Sequence, residues 1–181
     1  KKKKWKSVGN WSDFQRANRS KCAAPFAKLR KPKKVKIGKT KYQLEGTRLV
    51  KKSKDKDSVS RIGVLSAPKD GSQITIDNIK HFVRKFQKAR VDWVVVNGDI
   101  GHEKRSMIRI LKPLGKLKVP VLVMVGNGES VHDFNDALSV VMERHRNIFN
   151  MNFTRTVEGD DVTLVGVPGY FNRDFVYADD G

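Results

Sequence analysis

The 181-residue sequence has very little cysteine and lacks any long apolar run. Cys22 is its one cysteine, so no disulfide can form within the chain, and we expect a reducing intracellular compartment, cytoplasm or organelle matrix. No stretch is apolar enough to predict a transmembrane helix or a secretion signal. Lys-Cys-Ala-Ala resembles a lipoprotein cleavage site, but no apolar segment precedes it, so an envelope component is the least favoured interpretation.

Acidic residues are scarce in the first third of the chain. Residues 1–57 contain 21 Lys or Arg against 4 Asp or Glu, whereas residues 58–181 contain 17 against 15. Nearly all of the net charge of +19 therefore belongs to residues 1–57. This composition predicts a basic, largely extended N-terminal segment over 1–57, followed by an α/β domain over 58–181. Within the segment, alternation of apolar and polar residues about Gly38 predicts a small β-hairpin at 35–44.

Aromatic residues are interleaved with the basic ones in this segment. Rings stack on bases while lysines neutralise phosphates, so the pattern favours RNA or another polyanion as partner. The predicted nucleic-acid contacts are Lys1, Lys2, Lys3, Lys4, Trp5, Lys6, Trp11, Lys31, Lys33, Lys34 and Lys36. The alternative is a solubilising tail, and a membrane surface is less favoured because the basic residues follow no amphipathic helix period.

Beyond residue 58, patterns typical of strands and helices alternate. The predicted elements are a strand at 61–66, a helix at 76–89, a strand ending at Asn97, a helix at 104–114, a strand ending at Gly126, a helix at 131–148 and an antiparallel pair at 155–157 and 162–167. This order predicts an α/β layered sheet with right-handed crossovers.

Two of these strands end in glycine followed by a polar residue. Gly98-Asp99 follows the strand ending at Asn97, and Gly126-Asn127 follows the next one. In open α/β sheets the chemistry lies beyond the carboxyl ends of the strands. Asp99 and Asn127 are therefore candidate oxygen ligands for a hard cation or a two-metal site.

Residues 61–181 resemble the N-terminal half of a calcineurin-like metallophosphoesterase. Gly98-Asp99 is similar to that family's second motif, and Gly126-Asn127 with Glu129 is similar to its third. The resemblance implies a metallophosphoesterase-type layered sheet, here incomplete, with Asp99 bridging two metals and Asn127 binding one. Two later histidine motifs of the family have no counterpart before Gly181.

The catalytic motifs are degenerate where the resemblance requires ligands. Ala67 and Lys69 stand where the first motif has aspartate and histidine, and Gly128 stands where the third has the histidine that protonates the leaving group. Ala67 has no ligand atom, and Lys69 places a cation where a cation was to bind. Of the ligands that the family uses, Asp99 and Asn127 remain, and these two alone do not hold two metals.

Nearby residues are candidate surrogates for the lost ligands. Asp70 follows the first strand, and His102 and His132 lie beyond the second and third. Together with Asp99, Asn127 and Glu129 they could bind one ion. The simpler interpretation places these side chains at the solvent-facing starts of helices, and Asp99 and Asn127 in turns or caps.

The sequence therefore predicts a catalytically silent metallophosphoesterase-like subunit, without a cofactor, that its basic segment tethers to RNA or to a ribonucleoprotein assembly. The alternative is a metal-dependent phosphohydrolase whose site, holding Mn, Zn or Fe, is unconventional or completed by a partner.

Half of the expected fold should leave apolar strand faces at 94–96 and 121–125 only partly covered. This predicts an obligate subunit of a larger complex. Removal of residues 1–57 should abolish salt-sensitive association with RNA or the assembly, while the domain still folds.

Overall fold

The computed structural model describes residues 6–8, 27–29, 31–53 and 59–167. Within them the fold is mixed α/β, as the sequence predicts at that level. None of the described helices has the length and apolar content needed to cross a membrane. The strands are β1 (Lys6–Val8), β2 (Ala27–Leu29), β3 (Lys33–Ile37), β4 (Thr40–Glu45), β5 (Arg48–Lys51), β6 (Ile62–Ser66), β7 (Trp93–Asn97), β8 (Val121–Met124), β9 (Ile148–Asn150), β10 (Thr156–Glu158) and β11 (Thr163–Val165). The helices are α1 (Gln73–Ala89), α2 (Lys104–Leu114) and α3 (Val131–Arg144).

A four-stranded parallel sheet, in the order β6-β7-β8-β9, forms the centre of the molecule. Each strand but the last is followed by a helix, which is the connection that parallel neighbours need. Alternate strand residues such as Val94, Val96, Val121 and Val123 are buried in one cluster with apolar residues of the three helices. The helices therefore cover one face of this sheet.

A second sheet covers the opposite face. Its five strands lie in the order β11-β10-β5-β4-β3. Its inward residues, among them Leu44 and Leu49, are buried with Trp93, Leu122 and Phe149 of the parallel sheet. The predicted incompletely covered faces at 94–96 and 121–125 are thus wrong. Residues 33–51 and 156–165 of the same chain cover these strands on the side away from the helices. Exposed apolar residues remain at the edge strand β6, where Ile62 and Val64 are exposed.

The division at residue 57 does not separate two structural units. The predicted hairpin is present, since β3 and β4 pair antiparallel about Gly38, whose φ is 58°. However, β5 pairs in parallel with β10, so the meander β3–β5 belongs to the same sheet as the C-terminal antiparallel pair β10–β11. Patterns within a short stretch of sequence could not predict this pairing, because β5 and β10 are far apart along the chain.

The predicted helix at 131–148 is too long. Helix α3 ends at Arg144, His145 takes an extended backbone, and Ile148 begins a strand that pairs with Val121. The turn between them is fixed by the Asn147 amide, which donates to the carbonyl oxygens of Leu114, Leu117 and Val119. Ile148 stands seven residues after Val141, a spacing that a helix would also produce.

Candidate functional site

The carboxyl ends of β6, β7 and β8 meet at one edge of the parallel sheet, where the backbone takes left-handed conformations. Ala67, Lys69 and Asp99 have φ values of 49°, 62° and 51°. The amide of Ala67 donates to the carbonyl oxygen of Gly98 at 3.2 Å, and that of Lys69 donates to the carbonyl of Asp99 at 2.9 Å. Non-glycine residues held in this region are strained, and such strain concentrates at functional sites.

The loops after β7 and β8 approach each other at two glycines. A Cβ built on Gly98 would lie 2.7 Å from Cα of Gly126, and one on Gly126 would lie 2.3 Å from Oδ1 of Asp99. Gly98 also has a positive φ of 66°. Neither position tolerates a side chain without movement of the other loop.

Glu129 links these two loops by hydrogen bonds to backbone amides. Its side chain is buried, and its carboxylate accepts from the amide of Gly126 at 2.6 Å, those of Asp99 and Gly101 at 3.3 Å each, and that of Ile100. Four donors occupy the lone pairs of a carboxylate, which makes Glu129 a structural anion and leaves it little capacity for a metal.

Asp99 and His102 are the predicted ligands that the fold brings together. The Asp99 carboxylate accepts from the Gly128 amide at 3.3 Å, and Nδ1 of His102 lies 3.1 Å from the Gly128 carbonyl oxygen. A Cβ on Gly128 would lie 3.4 Å from Oδ1 of Asp99 and 3.7 Å from Cε1 of His102. The position where the resemblance requires a histidine is therefore adjacent to both side chains.

The remaining candidate ligands are engaged elsewhere or exposed. Asp70 accepts from the backbone of Ser72 at 2.8 Å and from the hydroxyl of Thr75 at 3.0 Å, at the start of α1. His132 lies 3.9 Å from Asp136, and the Asn127 side chain is exposed. Among the described residues, no three His, Cys, Asp or Glu side chains converge as a metal site would need.

A second candidate site is the outer face of the five-stranded sheet. At one end of it, Arg48 forms two 2.7 Å bonds to Glu158, and Lys52 lies 3.1 Å from Glu45. These two pairs neutralise the charges of Arg48, Glu158, Lys52 and Glu45.

The β3–β4 half of the same face carries unneutralised positive charge. Lys36 stands directly opposite Lys41 in the strand register, and Lys34 stands opposite Gln43. Within the described ranges no acidic side chain pairs with Lys34, Lys36 or Lys41. Like charges directly opposite each other destabilise a strand pair, so strand stability does not account for these lysines and a binding role is indicated. We call Lys34, Lys36 and Lys41 the outer lysine cluster.

Of the predicted nucleic-acid contacts, the structure places Lys34 and Lys36 in this cluster and Lys33 on the opposite face of β3. Lys31 is exposed just before β3. Lys1, Lys2, Lys3, Lys4, Trp5 and Trp11 lie outside the described residues, and of Lys6 the structure describes only the backbone in β1. The sequence-based set lacked Lys41, which the alternation after the Gly38 turn could have added.

Comparison of the chain with protein-family models, with curated proteins and with solved structures yields no match.

Proposed function

We propose that the protein is a catalytically silent, metallophosphoesterase-like α/β subunit that binds RNA, within a ribonucleoprotein assembly, through its basic N-terminal third. The outer lysine cluster is the observation that carries the proposal. Its three lysines lie on one strand pair, no acidic side chain of the described residues forms an ion pair with them, and Lys36 faces Lys41 across the register. Phosphates of a polyanion would neutralise this repulsion and release counterions.

The state of the sheet edge supports a binding role over a hydrolytic one. Glu129 is saturated by backbone donors, Asp70 is used at the start of α1, and Ala67 offers no ligand atom. Asp99 and His102 supply two side chains, whereas a catalytic metal needs about three protein ligands. Among the residues that the structure describes, the edge therefore has the loop geometry of a site but only two candidate ligand side chains.

Salt-dependent RNA binding tests the proposal. Full-length protein should bind a single-stranded oligouridylate in fluorescence anisotropy, with an affinity that falls as salt rises. The double variant Lys34→Gln/Lys41→Gln should lower the slope of log affinity against log salt by about 1.4, because each lysine that contacts a phosphate of a single strand contributes about 0.7.

The matched control removes two exposed lysines from α1, Lys85→Gln/Lys88→Gln. It changes the net charge by the same amount on a different face, so it should leave the salt slope near that of the wild type. Equal losses in the two double variants would mean that only total charge matters, and the outer lysine cluster would lose its assigned role.

The second candidate is a metal-dependent phosphohydrolase with an unconventional or partner-completed site for Mn, Zn or Fe. The strained backbone at Asp99, next to His102, is the observation that favours it. It requires stoichiometric Mn²⁺ or Zn²⁺ in the purified protein and hydrolysis of a generic phosphodiester that Asp99→Ala abolishes. A metal-free, inert protein that still binds oligouridylate supports the first proposal against this one.

A further inference from the structure

A groove of about 390 Å³ lies between β3, the edge strand of the second sheet, and the C-terminal end of α3. Lys33 and Val35 reach it from the face of β3 opposite Lys34, since successive strand residues point to opposite faces, and Lys36 of the outer lysine cluster borders it at the strand edge. Its volume is in the range of sites that hold one small organic molecule. We call it the β3–α3 groove.

The charged residues of the groove are predominantly basic. Lys33, Lys36, His145 and Arg146 line it, against Glu143 as the one acidic residue of the lining. Partial burial, and secondly the charge of Arg146, lower the pKa of Lys33. Cationic side chains that line one recess favour an anionic ligand there.

Apolar side chains form the rest of the groove wall. Val35 and Met142 border it, and Phe149 and Ile148 lie behind them in the buried core. A ligand that satisfies both parts carries an anionic group and a flat, weakly polar group. A nucleotide has both, as phosphate and base. A bilayer surface does not match the shape, because it cannot enter a recess between a strand and a helix.

We propose that the β3–α3 groove holds one nucleotide of a single-stranded RNA, with its phosphate between Lys33 and Arg146 and its base against Val35 and Met142. This rests on the proposed RNA-binding function and adds to it. The outer lysine cluster would bind neighbouring phosphates without regard to bases, whereas the groove would require a base. The RNA would then pass around the exposed edge of β3.

The test compares two ligands of equal phosphate number, an oligouridylate of about eight nucleotides and its abasic counterpart. Wild-type protein should bind the oligouridylate about tenfold more tightly, the gain expected from one accommodated base. The groove variant Lys33→Gln/Arg146→Gln should lose this preference. The variant Lys34→Gln/Lys41→Gln should bind both ligands more weakly and keep it. Lys33 and Arg146 are largely exposed, and a thermal melt checks that the groove variant folds like the wild type. The single variant Lys33→Gln serves if it does not.

The outcomes separate the two proposals. If wild-type protein does not bind the oligouridylate, the proposed function fails and the groove assignment fails with it. If it binds, but the groove variant keeps the preference for bases, the groove assignment is overturned and the outer lysine cluster stands. Tighter binding to anionic lipid vesicles than to the oligouridylate at equal salt would overturn both.

Discussion

Asp99 donates its backbone N–H to the carboxylate of Glu129, 3.3 Å away, across the gap between the loops that follow β7 and β8. Glu129 thereby holds the backbone of Asp99, so one acidic residue at the sheet edge fixes the position of another. The contact holds the edge of the sheet in the conformation in which Asp99 has a positive φ. It also makes the geometry depend on a single buried carboxylate.

Replacement of Glu129 by glutamine should therefore destabilise the fold. The glutamine side chain offers one accepting oxygen in place of two, and its amide nitrogen would face backbone donors. We expect a loss of about 2–4 kcal/mol in the free energy of unfolding, because buried amides lose their acceptor. Urea denaturation measures it. The exposed Glu143→Gln is the control and should change stability little. Equal stability of the two variants would contradict the structural role of Glu129.

Gly98 and Gly46 provide a matched pair for the close approach of the loops. Both have positive φ, 66° and 62°, but a Cβ on Gly46 meets nothing within 4 Å, whereas one on Gly98 meets Gly126 at 2.7 Å. Gly46→Ala should cost about 1–2 kcal/mol from backbone conformation alone. Gly98→Ala should cost about 1–3 kcal/mol more from the steric overlap. Thermal or urea unfolding of both variants measures the two losses. Similar losses in the free energy of unfolding would show that the loops can move apart at little cost.

Two truncations should separate the contribution of residues 1–30 from that of the meander β3–β5. Removal of residues 1–30 should leave a cooperatively folding domain, since β1 and β2 pair only with each other among the described strands. Removal of residues 1–57 should abolish the cooperative thermal transition, because it strips β3–β5 from Trp93, Leu122 and Phe149. Circular dichroism melts decide the matter. A cooperative melt of the shorter chain would show that the second sheet contributes little.

Acid should weaken the fold partly through Asp70. Hydrogen bonds from the Ser72 side chain and backbone, and from the Thr75 side chain, lower the pKa of Asp70. The unfolded chain therefore binds the proton first as the pH falls, so the contribution of Asp70 is complete above its unfolded pKa, about 4. It is lost as the pH drops through the lower folded value.

Asn cannot be ionised, so the free energy of unfolding of Asp70→Asn should be close to that of the wild type at a pH where Asp70 is protonated. Below about pH 4 the stability of the variant should therefore fall less steeply than that of the wild type. Its amide oxygen can still accept from Ser72 and Thr75, so the helix start is retained at neutral pH. The measurement is the free energy of unfolding against pH for both proteins. Parallel curves would mean that the hydrogen bonds to Asp70 do not favour its charged form.

The elements that the sequence predicted well are those whose signal is local. Helices α1 and α2 and strands β6 and β7 follow from apolar spacing within one window, and the Gly38 hairpin follows from a turn residue between alternating runs. The meeting of Asp99 with the β8 loop also follows, since parallel strands end at the same edge.

What could not be predicted depends on contacts between distant residues. The β5–β10 pairing joins segments whose own patterns allow several partners, so the second sheet and the cover over Trp93 were missed. The role of Glu129 was missed for the same reason, because its donors come from two loops. The glycines that follow the two strands, Gly98 and Gly126, were the sequence feature that could have predicted the contact between these loops.

The pairing of β5 with β10 also has a consequence for the order of events during synthesis. The ion pair between Arg48 and Glu158 spans 110 residues, and the apolar side of the meander is made first. In a nascent chain, Leu44 and Leu49 stay exposed to solvent until the parallel sheet and the last hairpin have left the ribosome. Closing a loop of that length adds an entropic barrier and slows folding. The lysines that crowd the first third of the chain would meanwhile keep it charged and apart from its neighbours, well before any of them meets a ligand.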